Sequence, residues 1–210
     1  MSGVQNEAIF ARLTALRDSF IAEVEAAGFK PRLPGPSIVL GNPPSLGYLD
    51  EEKNDLHIAV WEAVPAEAQA QFKVFASMLG GGETDQSVFE GAVHRWIFIH
   101  ELSHWWLCCR NENHGKPYAV EMGANRIGTA YWREKDSQYM DLRALRSRMT
   151  KETLPTPVPT GQSPIEYFND NYHDLARRTP AYAWYQAGML LEAYNENPVP
   201  TFGQVLQRPV

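Results

Sequence analysis

The sequence predicts an α+β chain that is mainly helical, with a small antiparallel sheet packed on two long helices and further helices toward the C-terminus. Three observations predict it. Apolar residues recur at helical spacing through most of the chain. Short β-prone runs separated by Pro, Gly and Asn cluster between residues 37 and 61. No Gly or Pro interrupts residues 92–110, so that stretch reads as one buried helix.

At 210 residues the chain is long enough for one domain with a sizeable core. The expected organisation is a main body over residues 1–153, a proline-rich connector at 154–163 and a C-terminal helical segment at 164–210 packed on that body. Nineteen basic and twenty-five acidic residues leave a net charge of −6 without any block of Lys or Arg. Nucleic acid is therefore not an expected partner. No apolar run is long enough to span a bilayer, so no membrane partner is expected either. Residues 7–27 read as an amphipathic helix carrying Arg12, Arg17, Asp18, Glu23 and Glu25, unlike a secretory signal, and a cytoplasmic location is the expectation. The two cysteines, Cys108 and Cys109, are neighbours whose side chains diverge on a helix, which suits buried thiols better than a disulfide. Oligomeric state is left open.

After the first helix, Gly28 and the prolines at 31, 34 and 36 break the pattern. Strands are expected at 37–40, 46–49 and 55–61, the last with Leu56, Ile58 and Val60 on one face and His57, Ala59 and Trp61 on the other. Pro65 opens a helix at 66–79 with Ala68, Phe72, Phe75, Ala76 and Leu79 inward, ended by the glycines at 80–82. Residues 84–87 offer caps for the next helix. Pro117 opens a helix to about residue 135, and another covers 137–151 with Arg143, Arg146 and Arg148 on a solvated face. The prolines of 154–161 exclude helix. Helices at 164–178 and 180–195 carry Tyr167, Phe168, Tyr172, Tyr182, Trp184, Tyr185 and Tyr194 at core spacing, and residues 198–210 read as an irregular tail.

Within the uninterrupted helix lies His100-Glu101-Leu102-Ser103-His104. Residues four apart on a helix share a face, so His100 and His104 have the spacing that two imidazoles need to bind one metal ion. Glu101 is turned about 100° from His100, where a carboxylate can reach a metal-bound water without being a ligand. A catalytic zinc takes three protein ligands and keeps a position for water. The helix opened by Pro117 offers the third, because Glu121, Ala124, Asn125 and Gly128 form one stripe. The small residues permit close approach to a neighbour, and a carboxylate and an amide on such a face need partners. Glu121 is the preferred ligand, with His114, Glu112 and Glu134 as competitors. Asn125, one turn on, is placed to accept a hydrogen bond from the far nitrogen of His100 or His104 and so fix its ring.

His100-Glu101-x-x-His104 followed by Glu121-x-x-Ala124-Asn125 resembles the gluzincin class of zinc metallopeptidases, and is similar in particular to the small bacterial ImmA/IrrE-like enzymes. The resemblance covers residues 46–132. It implies zinc held by His100, His104 and Glu121 with Glu101 as general base, on a zincin-like active-site helix and glutamate helix. The region after residue 135 lies outside it.

The chemistry that follows is hydrolysis of a peptide or protein substrate, with Glu101 moving the proton from water to the leaving amine. A donor for the developing oxyanion is also needed. Tyr172 or His173 is the candidate, with His114 next. An extended substrate can pair with the edge of the sheet. Two alternatives stand beside the peptidase: a hydrolase of non-peptide amides with a closed small-molecule pocket, and a regulatory or binding module with a structural or vestigial metal site. Glu101 favours catalysis, since a structural site has no use for a glutamate between its histidines.

Overall fold

Ile9, Leu13, Phe20 and Val24 recur at spacings of four and seven and form the buried stripe of helix α1, Gly3–Ala26, in a computed structural model of the chain. The structure describes residues 3–79, 82–177 and 179–210. Gly80, Gly81 and Arg178, expected at helix ends, lie outside the described residues, as does the side chain of Leu79. The described chain is mainly helical with one small sheet. It divides into two compact units, Met1–Ala26 with Pro31–Trp105, and Ala27–Lys30 with Trp106–Val210.

In the first unit, α1 is followed by strands β1, Ser37–Gly41, β2, Gly47–Asp50, and β3, Asp55–Ala59. The expected all-antiparallel sheet is corrected here to a mixed one of order β1-β3-β2, in which β3 pairs antiparallel with β2 and parallel with β1. The cause lies in the two connections. Residues 51–54 turn tightly, with Asp50 accepting from the Lys53 amide and Asn54 in the left-handed region, and close a β2–β3 hairpin. The Asn42-Pro43-Pro44-Ser45 segment also turns, with the Leu46 amide donating to the Pro43 carbonyl and Leu46 in the left-handed region, but β1 and β2 do not pair and the chain passes to the far side of β3. The central strand is the most buried one, with Leu56, Ile58 and Ala59 fully buried. β3 also ends earlier than expected, because residues Trp61–Ala63 form a single tight helical turn.

Helix α2 spans Ala66–Leu79; Ala76 faces inward, but Phe75 is exposed rather than buried. Thr84 caps α3, Asp85–Glu90, through a reciprocal pair of hydrogen bonds with Ser87. The helix expected across 92–110 is continuous in course but not in pitch. A wide π-helical segment, Gly91–Ile97, precedes α4, Phe98–Arg110. His94 lies in this wide segment and is 3% exposed. Its Nε2 lies 2.9 Å from the Ala59 carbonyl and its Nδ1 lies 3.0 Å from the Arg12 guanidinium. A carbonyl only accepts and a guanidinium only donates, so the ring is neutral with its proton on Nε2. Burial holds its pKa below the usual value, despite the Ala59 hydrogen bond that favours the charged form.

The second unit contains the end of α4, then α5, Pro117–Lys135, α6, Ser137–Thr153, α7, Pro164–Arg177, α8, Thr179–Tyr194, and α9, Phe202–Gln207. Asn111 adopts the left-handed conformation just past α4, and the Glu112 amide returns to the Leu107 carbonyl to close that helix. Helix α8 packs on α5 and α6, and α7 packs on α5 and α8. The apolar centre is Met122, Phe168, Leu175, Tyr185, Met189 and Ala193, with Tyr118, Tyr167, Tyr172, Tyr182 and Trp184 around it. Of the α6 arginines expected in solvent, Arg148 is exposed while Arg143 and Arg146 are half-buried beside the inward face of Met140, Ala144 and Ser147. The tail expected to be irregular contains α9, capped by Thr201 and Gln204.

Two outcomes test this fold. A Cβ at Gly47 would lie 2.5 Å from Ile97 Cγ2 and 3.1 Å from Ile58 Cδ1. Gly47→Ala is expected to destabilise by about 1–3 kcal/mol in denaturant titration, because β2 has no room for the methyl. His94 binds its proton less readily folded than unfolded, so its contribution to stability is complete above the ordinary imidazole range and shrinks as pH falls through about 6.5. The denaturation midpoint should drop between pH 7.5 and 5, and His94→Gln should flatten that dependence.

Candidate metal centre

Helix α4 carries His100 and His104 one turn apart, at 6% and 9% exposure. Their Nε2 atoms lie 3.2 Å from one another, with the rings edge to face. Two imidazole nitrogens aimed at one another over that distance either share a proton or direct both lone pairs at a common cation. Glu101, between them in sequence, is turned to the sheet: its Oε2 accepts from the Leu49 amide of β2 at 3.2 Å. The antiparallel register pairs Leu49 with Leu56 of β3, and β2 is an edge strand. Glu101 therefore sits beside one edge of the sheet.

Glu121 occupies the second turn of α5 at 3% exposure. A buried carboxylate needs donors, and two helices supply them. Tyr172 Oη of α7 donates to Oε1 at 2.7 Å, and Gln186 Nε2 of α8 donates to Oε2 at 2.7 Å. The backbone of α7 is bent at Asn171, whose φ of −121° and ψ of 16° leave the helical region just before Tyr172. Asn171 Nδ2 donates to the Tyr167 carbonyl across the bend. One turn earlier, Asn169 Oδ1 accepts from the Tyr118 amide at 2.8 Å. That amide is one of the four donors a helix start leaves unmatched, and Lys116 supplies no side-chain cap for it. Asn169 thus ties α7 to the start of α5, one turn before Glu121.

One ligand atom from each of His100, His104 and Glu121 lies within 4.8 Å of the other two. Among the described residues, no other group of His, Cys, Asp and Glu is brought together in this way. Donors bound tetrahedrally at the bond lengths usual for zinc lie about 3.3 Å apart, close to the separation of the two imidazole nitrogens. Two imidazoles and one carboxylate are also a donor set that zinc accepts. The residues fit the ion.

The competing ligands lie elsewhere. Glu112 forms an ion pair with Arg110, Glu134 accepts from the Phe202 amide, and His114 is exposed. His57 stacks on Tyr48 at 4.6 Å as a half-buried strand residue. Tyr172 is engaged with the Glu121 carboxylate, and its neighbour His173 is exposed. Asn125 is fully buried, but the hydrogen bonds its amide nitrogen makes run to the Glu121 carbonyl and to Gln186 Oε1, both at 2.8 Å. The sequence reading had it accept from a histidine. Gln186 was missed altogether, since a glutamine inside an aromatic helix carries no local signal of what it faces. Cys109 is buried and Cys108 half-buried, and neither is in a disulfide.

Tyr172→Phe keeps the ring and removes one donor from a buried carboxylate. It is expected to lower the unfolding free energy of the metal-free chain by about 1–3 kcal/mol, measured by chemical denaturation. No family model, no curated protein and no solved structure matches this chain, so its function has to be read from these side chains.

Proposed function

We propose that this protein is a zinc-dependent hydrolase acting on peptide bonds, with His100, His104 and Glu121 as the metal ligands. The observation that carries the reading is the buried convergence of two imidazoles and a carboxylate, with Glu101 following the first histidine in sequence. When bound, zinc supplies a Lewis acid and brings the pKa of a coordinated water to about 7.

The chain's own residues do the rest. Glu101 is the general base, taking a proton from water and returning it to the leaving amine. Its hydrogen bond from the Leu49 amide steadies the carboxylate from the side of the sheet. Tyr172 and Gln186 hold Glu121 by both oxygens and keep it aimed. The edge position of β2 beside Glu101 supports a peptide over a small amide as substrate, because an extended chain can add to that edge through backbone hydrogen bonds. With its hydroxyl on Glu121, Tyr172 serves the ligand in this reading, and a role toward the oxyanion would require it to change partners. No described helix is long and apolar enough to cross a membrane.

Elemental analysis of the purified protein should find one zinc per chain. Glu101→Gln should keep that zinc and lose about 10²–10⁴-fold in hydrolysis of an unfolded protein substrate, while His104→Ala should lose the metal. Absence of zinc from the unmutated chain overturns the reading. Zinc retained without hydrolysis favours a regulatory module, and metal-dependent cleavage of small acyl amides alone favours the non-peptide amidase.

A further inference from the structure

Gln186 joins the Glu121 carboxylate to Asn125, a second polar side chain on the helix of Glu121. Its Nε2 donates to Glu121 Oε2 at 2.7 Å, and its Oε1 accepts from Asn125 Nδ2 at 2.8 Å. Asn125 Nδ2 donates in addition to the main-chain carbonyl of Glu121, at 2.8 Å. We propose that Gln186 is a positioning residue for metal binding, which sets the plane of the Glu121 carboxylate; the inference rests on the reading of His100, His104 and Glu121 as a metal site.

The polarity of this chain of amides is imposed by its ends. An ionised carboxylate only accepts, so the end of Gln186 that faces it must be the NH2 group. The other end is then an oxygen, and Asn125 must turn its own NH2 toward it. That NH2 also meets the Glu121 carbonyl, a second acceptor, so turning Asn125 over would set oxygen against oxygen at two contacts. Asn125 Oδ1 is left buried without a hydrogen-bond partner. The donors are thus spent in one direction, toward Glu121.

The geometric consequence is specific to the carboxylate. Tyr172 holds Oε1 and Gln186 holds Oε2, so donors on two helices oppose rotation about the last side-chain bond of Glu121. Without Gln186, Oε2 would lose this donor while Oε1 kept the one from Tyr172, and the plane of the group would be less firmly set. A ligand free to pivot has to be ordered when the metal binds, which weakens binding. Partners behind a ligand commonly account for 10–100-fold in metal affinity.

The test uses the full chain and two variants, Gln186→Met, which keeps the length and volume but removes both polar groups, and Gln186→Asn, which keeps the amide but withdraws it by one methylene. Zinc affinity is measured by competition with a chromophoric chelator, and the visible absorption of the cobalt-substituted protein reports the ligand geometry. Folding is checked by circular dichroism. The expectation is a 10–100-fold loss of zinc affinity for Gln186→Met, a smaller loss for Gln186→Asn, and altered cobalt bands in both. A purely structural role for Gln186 would lower the denaturation midpoint and leave affinity and cobalt bands unchanged. Wild-type affinity and bands in either folded variant, with zinc bound by the unmutated chain, overturn this inference alone. Failure of the unmutated chain to bind zinc overturns the metal reading and this inference with it.

Discussion

A carboxylate that is 3% exposed has to be matched by donors or by a cation, and much of the second unit is arranged around that requirement at Glu121. Helix α7 bends at Asn171, directly before the tyrosine that donates to one oxygen. Helix α8 contributes the glutamine that donates to the other. The apolar contacts of Phe168, Tyr185 and Met189 bring these two helices against α5, so the core supplies the driving force and the carboxylate selects the register. Charge-assisted hydrogen bonds of this kind are stronger than neutral ones, and their loss leaves an under-solvated anion rather than a mere gap.

In the first unit the corresponding role belongs to the junction of sheet and helix. Glu101 is bonded to the β2 backbone and His94 to the β3 backbone, so two side chains from one helical run grip neighbouring strands. Arg12 extends this from α1, meeting both His94 and Glu90. The exposed Arg12–Glu90 pair adds little by itself. The buried imidazole, whose two nitrogens have fixed and opposite roles, is the stronger link.

What could be read from the sequence was whatever depended on local periodicity. The histidine spacing, the Glu121 stripe and the span of α5 opened by Pro117 are statements about positions a few residues apart, where helix geometry leaves little freedom. The parallel pairing of β1 with β3 was not legible, because alternating apolar residues report which face is buried and not which strand is adjacent. Gln186 was hidden for a related reason: it meets Glu121 across 65 positions of sequence, through a contact created only when α8 folds back. The helix α9 was within reach, since Thr201-x-x-Gln204 is a capping box on its face. Phe75 went wrong because an apolar residue on an amphipathic helix need not be covered when the inward face is narrow.

The wide segment Gly91–Ile97 gives the histidine pair a phase that ordinary pitch would not. A π turn accommodates one more residue than an α turn, so the residues after it lie about 100° from where α pitch over the same stretch would put them. In this respect the segment behaves as an insertion absorbed by the helix. A one-residue deletion within it would let the run regain α pitch with His100 and His104 still on the same side of the helix, whereas α pitch imposed on the full length would turn the pair by about 100° with its mutual spacing intact. The side of the helix on which the pair lies is thus set jointly by the pitch of Gly91–Ile97 and by its length.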